Sequence, residues 1–320
     1  MRDGTGGPLI VGASQVENIL EVGPLVEALR NAFRRGAVVP VRHHHAMEVP
    51  GAADATLLLM PAWQPGRYAG IKIVTVFPSN GERGLPSVMG SYVLISARDG
   101  RPLAVIDGSM LTLKRTAAAS ALAAKYLSRP DASKLLMVGT GALAPHLILA
   151  HASVRPITEL VVWGRDFAKA ERLAKNFDGR RLKARALRSL EEAVGWADTI
   201  SCATLAKEPL VRGAWLRQGQ HLDLVGGFTP QMREADDDAV TRARVYVDTY
   251  AGATKEAGDI VQPLASGALD EKQIAGELAE LAQGRAAGRS FHNQITLFKS
   301  VGTALEDLAA AELVYETIRK

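Results

Sequence analysis

A single cysteine, Cys202, stands among the 320 residues, so no internal disulfide can form and no Cys-x-x-Cys spacing exists. A reducing compartment is the expectation. Aromatic residues make up only 5%, and no Lys/Arg block is interleaved with them. That excludes the stacking platforms and cationic tracts that hold nucleic acid. Neither sign of charge dominates: 38 basic against 34 acidic residues leave a net charge of +4, which suits small anionic partners. No apolar run approaches the roughly 20 residues that span a bilayer. Met1–Pro24 lacks the charged-then-apolar order of a secretion signal, so a cytoplasmic protein with no membrane partner is expected.

What is present is an ordinary globular composition, 47% hydrophobic and 22% charged, in a chain too long for one core of about 250–300 residues. Two lobes are expected. The first opens with a helix from Gly23-Pro24, where Leu25, Val26, Leu29 and Phe33 recur at helical spacing. Strand-like runs follow at 56–60, 70–76, 91–95 and 102–107, punctuated by Gly, Pro and Asn. Asp99-Gly100 tolerates the positive φ angles of a tight hairpin turn. Asp107 reads as a cap or turn before the next helix. From Thr112 the pattern changes to an alanine-dense helix over 115–127, and then strands and helices alternate. Strands are expected at 134–138, 159–163, 199–203, 221–225 and 244–248, and helices at 146–153, 167–177, 187–196 and 271–281 and from Lys299 to the end. Such alternation predicts a parallel α/β sheet.

The strongest local signal is Val138-Gly139-Thr140-Gly141-Ala142-Leu143-Ala144, a G-x-G-x-x-A turn between an apolar strand and a helix. The first glycine permits the sharp turn and the second lets backbone approach a pyrophosphate. The small Ala144 lets helix and strand pack closely, and the helix N-terminus attracts phosphate. The next strand ends in Gly164-Arg165-Asp166. An NAD site usually places an acid there for the ribose 2′-OH, whereas Arg165 can fork onto the 2′-phosphate of NADP. Asp166 reads as the N-cap of the following helix. NADPH is therefore favoured over NADH. Thr204, at the carboxyl end of its strand, is placed to line the nicotinamide crevice.

The first lobe carries three isolated cations. Arg42 precedes His43-His44-His45, Lys72 lies between Ile71 and Ile73, and Arg115 begins the alanine-rich helix. An inward-pointing Lys72 needs an anionic partner. An outward-facing lysine on an alternating strand, and Arg115 as a salt bridge joining the lobes, are the plainer alternatives. Adjacent histidines without a nearby carboxylate do not form a metal site, and no metal is expected. Cys202 reads as a buried small residue.

In their order, the runs Lys72–Asn80, Gly84–Met89, Asp107–Thr112, Arg115–Ala121, the Gly139 loop, Val225–Pro230 and Phe298–Ala304 resemble the ornithine cyclodeaminase/μ-crystallin family over nearly the whole chain. The resemblance implies an α/β fold with a Rossmann-type parallel sheet domain, residues 117–298. That domain is inserted in a second, α+β substrate-binding and dimerisation domain, residues 1–116 and 299–320. It further implies a homodimer, with Arg42, Lys72 and Arg115 around a substrate α-carboxylate. Thr116, Gly227 and Lys299 fall on the cofactor side.

Members of this family run several chemistries. Ornithine cyclodeaminases resemble this chain but carry an acid directly after the Gly-Gly pair and a Glu before the Leu-Met-Pro turn. Phe228 and Leu58 stand at those places here, and neither can accept a proton or pair with a distal amine. The Gly227–Glu234 stretch instead looks like that of reductases of cyclic ketimine acids. The resemblance thus implies NADPH-dependent reduction of Δ1-pyrroline-2-carboxylate or Δ1-piperideine-2-carboxylate to L-proline or L-pipecolate. Phe228 or Met60 would then sit against the ring, and Lys72 would support the carboxylate and serve as a candidate proton relay. Ornithine cyclodeaminase, an open-chain amino-acid dehydrogenase of the alanine dehydrogenase kind, and a non-catalytic NADPH-binding protein are the alternatives.

Overall fold

The computed structural model describes residues 7–179 and 182–320; the first six residues of the Met1–Pro24 segment lie outside them. The chain divides into two compact units, residues up to 116 together with 303–320, and residues 117–302.

The first unit comprises β1 (Leu9–Val11), α1 (Ala13–Ile19), α2 (Val22–Arg35), β2 (His43–Met47), β3 (Ala55–Trp63), β4 (Tyr68–Val76), β5 (Val88–Ser96) and β6 (Pro102–Asp107). Among the described residues its strands form one six-stranded sheet in the order β1-β6-β5-β4-β3-β2. Only the β1–β6 pair is parallel. The Asp99-Gly100 turn joins β5 to β6 with Gly100 at φ 76°. Helix α3 (Gly108–Leu127) then carries the chain into the second unit. It starts seven residues before the predicted Arg115, because Asp107 Oδ1 accepts from the Met110 N–H at 2.7 Å and caps it there.

The second unit runs β7 (Lys134–Val138), α4 (Ala144–Val154), β8 (Glu159–Trp163), α5 (Phe167–Phe177), β9 (Lys183–Ala186), α6 (Leu190–Trp196), β10 (Thr199–Cys202), β11 (His221–Leu224), α7 (Asp237–Arg242), β12 (Arg244–Val247), α8 (Tyr250–Glu256), α9 (Gly258–Ser266), β13 (Ile274–Glu277), α10 (Leu278–Gln283) and β14 (Thr296–Lys299). Among the described residues these strands form an eight-stranded sheet, ordered β13-β12-β14-β11-β10-β7-β8-β9, with every pair parallel. This is the expected Rossmann-type α/β sheet. Leu136, Val138, Ile200, Leu222, Leu224 and Leu297 sit in its core. The final helix, α11 (Ala304–Ile318), returns to the first unit.

Three expectations need correction. The helix expected over 187–196 begins at Leu190, where Ser189 Oγ accepts from the Glu192 N–H at 3.2 Å; Leu187, Arg188 and Ser189 connect β9 to it. The helix expected over 271–281 is cut into a 3₁₀ turn, strand β13 and the short α10. Capping boxes led by Asp270 and Glu277 set the two breaks. Lys299 does not start the last helix: it ends β14, paired with Leu224 and Val247. Gly302 at φ 81° turns the chain before Thr303 caps α11.

Candidate functional site

Two centres emerge, one in each unit. In the first, the period of two along β3, β4, β5 and β6 lines up Met60, Lys72, Tyr92 and Ile106 across one face of the sheet. All four are buried, Lys72 at 2% exposure. Lys72 Nζ lies 2.8 Å from Asp307 Oδ2, and Thr112 Oγ1 is 3.4 Å away. Arg115 donates from Nε to Asp307 Oδ1 and from Nη1 to Glu306 Oε2, each at 2.8 Å. Lys72 therefore points inward, and the ion pairs of Arg115 lie within its own unit. Arg42, half-buried just before β2, acts on the same cluster through its charge.

Burial pulls the Lys72 ammonium down to about 8, with Arg115 and Arg42 pushing the same way and Asp307 opposing. Burial alone would raise the Asp307 carboxyl, but Arg115 and Lys72 hold it below the usual carboxylate range. Burial likewise works against the Arg115 charge, and Asp307 with Glu306 more than restores it. Lys72 and Arg115 thus face Asp307 and Glu306, with the charge of Arg42 also felt at Lys72.

Glu306 and Asp307 were missed by the sequence reading. They occupy the first turn of α11 behind Thr303, where acids are also favoured simply by the helix dipole. The one available signal was two adjacent acids inside the apolar run from Val301 to Ala311.

Leu58 pairs with Val74 and shares the face of Lys72. His43 and His45 alternate onto the opposite face of the edge strand β2, their rings 6.3 Å apart, exposed. His44 points to the other face of the strand, paired with Leu58.

In the second unit β7 turns into α4 through Gly139, whose φ is 119°; a Cβ there would lie 2.6 Å from the Ala203 carbonyl oxygen. Gly141 has open space where its Cβ would stand, room for a ligand to meet backbone. Ala142 and Leu143 lead into α4, and Ala144 is packed against the sheet. Gly139, Thr140, Gly141, Gly164, Arg165 and Thr204 line one cavity of about 690 Å³, with Lys169 at its rim beside Asp166. Asp166 Oδ1 caps α5 by accepting from the Lys169 N–H at 3.1 Å. The cavity opens at the carboxyl ends of β7 and its two neighbours, β8 and β10. That is the switch point at which an open parallel sheet binds a dinucleotide. The tight first glycine and the open second one fit a pyrophosphate. Thr116 belongs to the first unit and is not among the lining residues.

Beside this cavity lies a buried ionic network. Glu234 Oε1 accepts from both the N–H and the hydroxyl of Thr204, each at 2.7 Å. Asp259 Oδ1 accepts from the N–H groups of Glu234 and Ala235 at 2.7 and 3.0 Å. Lys299 Nζ is 3.0 Å from Asp259 Oδ2 and donates to the Gly226 carbonyl. Gly227 has φ 60°, and a Cβ there would lie 2.5 Å from Asp259 Oδ2. Phe228 follows, 47% exposed.

Deeper in the sheet, Asp223 Oδ2 accepts from Ser201 Oγ at 2.7 Å and lies 3.0 Å from His151 Nε2. Asp223 sits between the other two, so the Ser201 hydroxyl does not meet the His151 imidazole, and the trio is a core hydrogen-bond node. Cys202 is fully buried and its thiol is pushed up by burial.

The model of the ornithine cyclodeaminase/mu-crystallin family matches residues 8–320. A Δ1-pyrroline-2-carboxylate reductase of Paracoccus denitrificans is 38% identical over 88% of this chain and 90% of its own. The ketimine reductase mu-crystallin of Rattus norvegicus is 35% identical over 97% of each chain. Among solved structures, Thermococcus litoralis Δ1-pyrroline-2-carboxylate reductase in complex with NADH and L-proline superposes with TM-score 0.91 at 34% identity, covering 97% of each chain. An archaeal alanine dehydrogenase dimer with bound NAD gives 0.89 at 30% identity, covering 98% of this chain and 97% of that one.

Proposed function

The chain belongs to the ornithine cyclodeaminase/mu-crystallin family, and from that premise we propose that it reduces a cyclic ketimine carboxylate with NADPH. Δ1-pyrroline-2-carboxylate or Δ1-piperideine-2-carboxylate is the substrate and L-proline or L-pipecolate the product. The protein is a nicotinamide-dependent oxidoreductase.

The observation that carries the finer reading is the occupancy of acids around Lys72. Asp307 and Glu306 are committed to Lys72 and Arg115, and Leu58 on the same face is apolar. A substrate carboxylate would meet the cations Lys72, Arg115 and Arg42 there. The second amine of a diamino acid gains no acid from Leu58 or from Phe228. An apolar ring is the better guest.

A bound dihydronicotinamide would supply the hydride that reduces the protonated imine at its α-carbon. The residues of this chain have simpler work. Arg115, Arg42 and Lys72 bind the carboxylate and orient the α-carbon, and orientation of this kind can lower a barrier by several kcal/mol, about 7–11 at the limit. The Gly139–Ala144 turn holds the pyrophosphate against the α4 N-terminus, and Arg165 grips the 2′-phosphate. An iminium brings its own proton from water, so the reduction itself asks no side chain for one.

A homodimer is part of the proposal. Facing away from Lys72, Pro61, Ile71, Val93, Val105 and Ile10 form a row across five strands. Ile10 is 73% exposed, and a second copy is the occupant that would bury such a row.

The deciding assay follows NADPH absorbance with each cyclic imine, and with pyruvate plus ammonia. Turnover of a cyclic imine at least tenfold more efficient than of the open-chain pair is expected. Activity with pyruvate and ammonia alone would install the amino-acid dehydrogenase reading instead.

A further inference from the structure

We propose that Glu234 is a positioning residue for the nicotinamide-bearing half of the dinucleotide, and that its proton ties nucleotide affinity to pH. The inference rests on the dinucleotide reading of the cavity and deepens it.

Thr204, Gly226 and Lys299 stand at or just beyond the carboxyl ends of β10, β11 and β14, neighbouring strands of one sheet. A dinucleotide lying at the switch point must place its second half over these ends. No side chain on the glycines can shape that floor. A Cβ on Gly226 would lie 2.2 Å from the Thr204 carbonyl oxygen and 2.4 Å from Glu234 Oε1. The shape is set by Glu234 accepting from both donors of Thr204, and by the Asp259–Lys299 pair holding the Gly226–Gly227 turn.

The network has a charge imbalance. Two carboxylates and one ammonium, all fully buried, leave one negative charge in excess, which burial disfavours. Glu234 carries the relieving proton: desolvation lifts its carboxyl to about 7, with Lys299 opposing and Asp259 adding to the rise. Its Oε2 has no protein partner, which leaves that oxygen for the proton while Oε1 keeps Thr204. The groups that act on Glu234 electrostatically are Lys299 and Asp259; the Cys202 thiol beside them stays neutral, pushed up by burial.

The sign follows. A dinucleotide is an anion, so it binds better above the neutral, protonated network than above one with an extra negative charge. Affinity should fall as the pH rises through about 7.

The test is fluorescence titration of the full-length protein with NADH, which has no 2′-phosphate of its own to titrate, from acid to alkaline pH. Wild type is compared with Glu234→Gln and Glu234→Ala, with melting temperatures alongside. Wild-type affinity is expected to weaken about tenfold across neutrality, the effect of a one-unit pKa difference between free and bound protein. Glu234→Gln mimics the protonated acid and should bind with the acid-side affinity at every pH. Glu234→Ala should bind weakly throughout. A wild-type slope retained in Glu234→Gln overturns the proposal, whether or not Glu234→Ala folds. A wild type that binds neither NADH nor NADPH at any pH overturns the dinucleotide reading as well.

Discussion

Lys72 and Asp307 meet at 2.8 Å in the interior of the first unit, although 235 positions separate them in the chain. The strand that carries the lysine and the helix that carries the acid have no local reason to know of each other. Their pairing turns a lone lysine in an apolar strand into one corner of a buried charged cluster.

The charge of that cluster depends on pH. The Lys72 ammonium titrates at about 8, so it is charged below that pH and neutral above it. Efficiency (kcat/KM) for an imino-acid substrate should fall as the pH rises through about 8. Lys72→Arg, whose charge does not titrate in this range, should move the break with the same substrate to higher pH. A pH–rate profile that is superimposable for the two proteins would contradict the assignment.

Asp307 holds both Lys72 and Arg115. Removing one partner of a buried ionic cluster costs about 3–5 kcal/mol, so Asp307→Asn should lose stability in that range on denaturant titration. Lys72→Met combined with Asp307→Asn should lose less than the sum of the two single changes, because one stranded charge goes with its partner. Simple additivity would show that the two side chains are not coupled.

Arg165 lines the nucleotide cavity beyond β8. A hydrogen bond to a charged group contributes about 1.5–3 kcal/mol, which is about 10- to 100-fold in affinity. Arg165→Ala is expected to lose that factor with NADPH and little with NADH. Equal losses with the two coenzymes would remove the 2′-phosphate from its role.

Ile71 sits in the middle of the apolar row on the outer sheet face. Ile71→Asp places a charge there and should convert a dimer into a monomer in light scattering while the melting transition stays cooperative. An unchanged mass would assign the face to something other than a second copy.

Much of the second unit was legible beforehand. Strands 134–138 and 159–163 and helix 167–177 appear with the expected ends, because turn residues and caps such as Asp166 are local signals. The G-x-G-x-x-A turn was read for the same reason. What escaped was short and context-dependent. Strand β13 hides in a helix-like stretch because its conformation comes from pairing with β12, and Lys299 ends a strand rather than opening a helix because β11 and β12 flank it. In the candidate sites, Lys72, Arg115 and the glycine loop stood out as residue types in unusual surroundings. Glu306, Asp307, Glu234 and Asp259 did not, since acids near helix starts and in loops are common on any surface.

By itself, then, the order of amino acids determined which segments alternate, where the chain must turn sharply and which cations stand among apolar neighbours. These are properties of spacing over a few residues, where backbone geometry acts directly. Only the tertiary structure decided which acids those cations would face, and that Glu234 would be buried with an oxygen left over. Such outcomes depend on distant segments converging and shedding water together, and no local pattern records them.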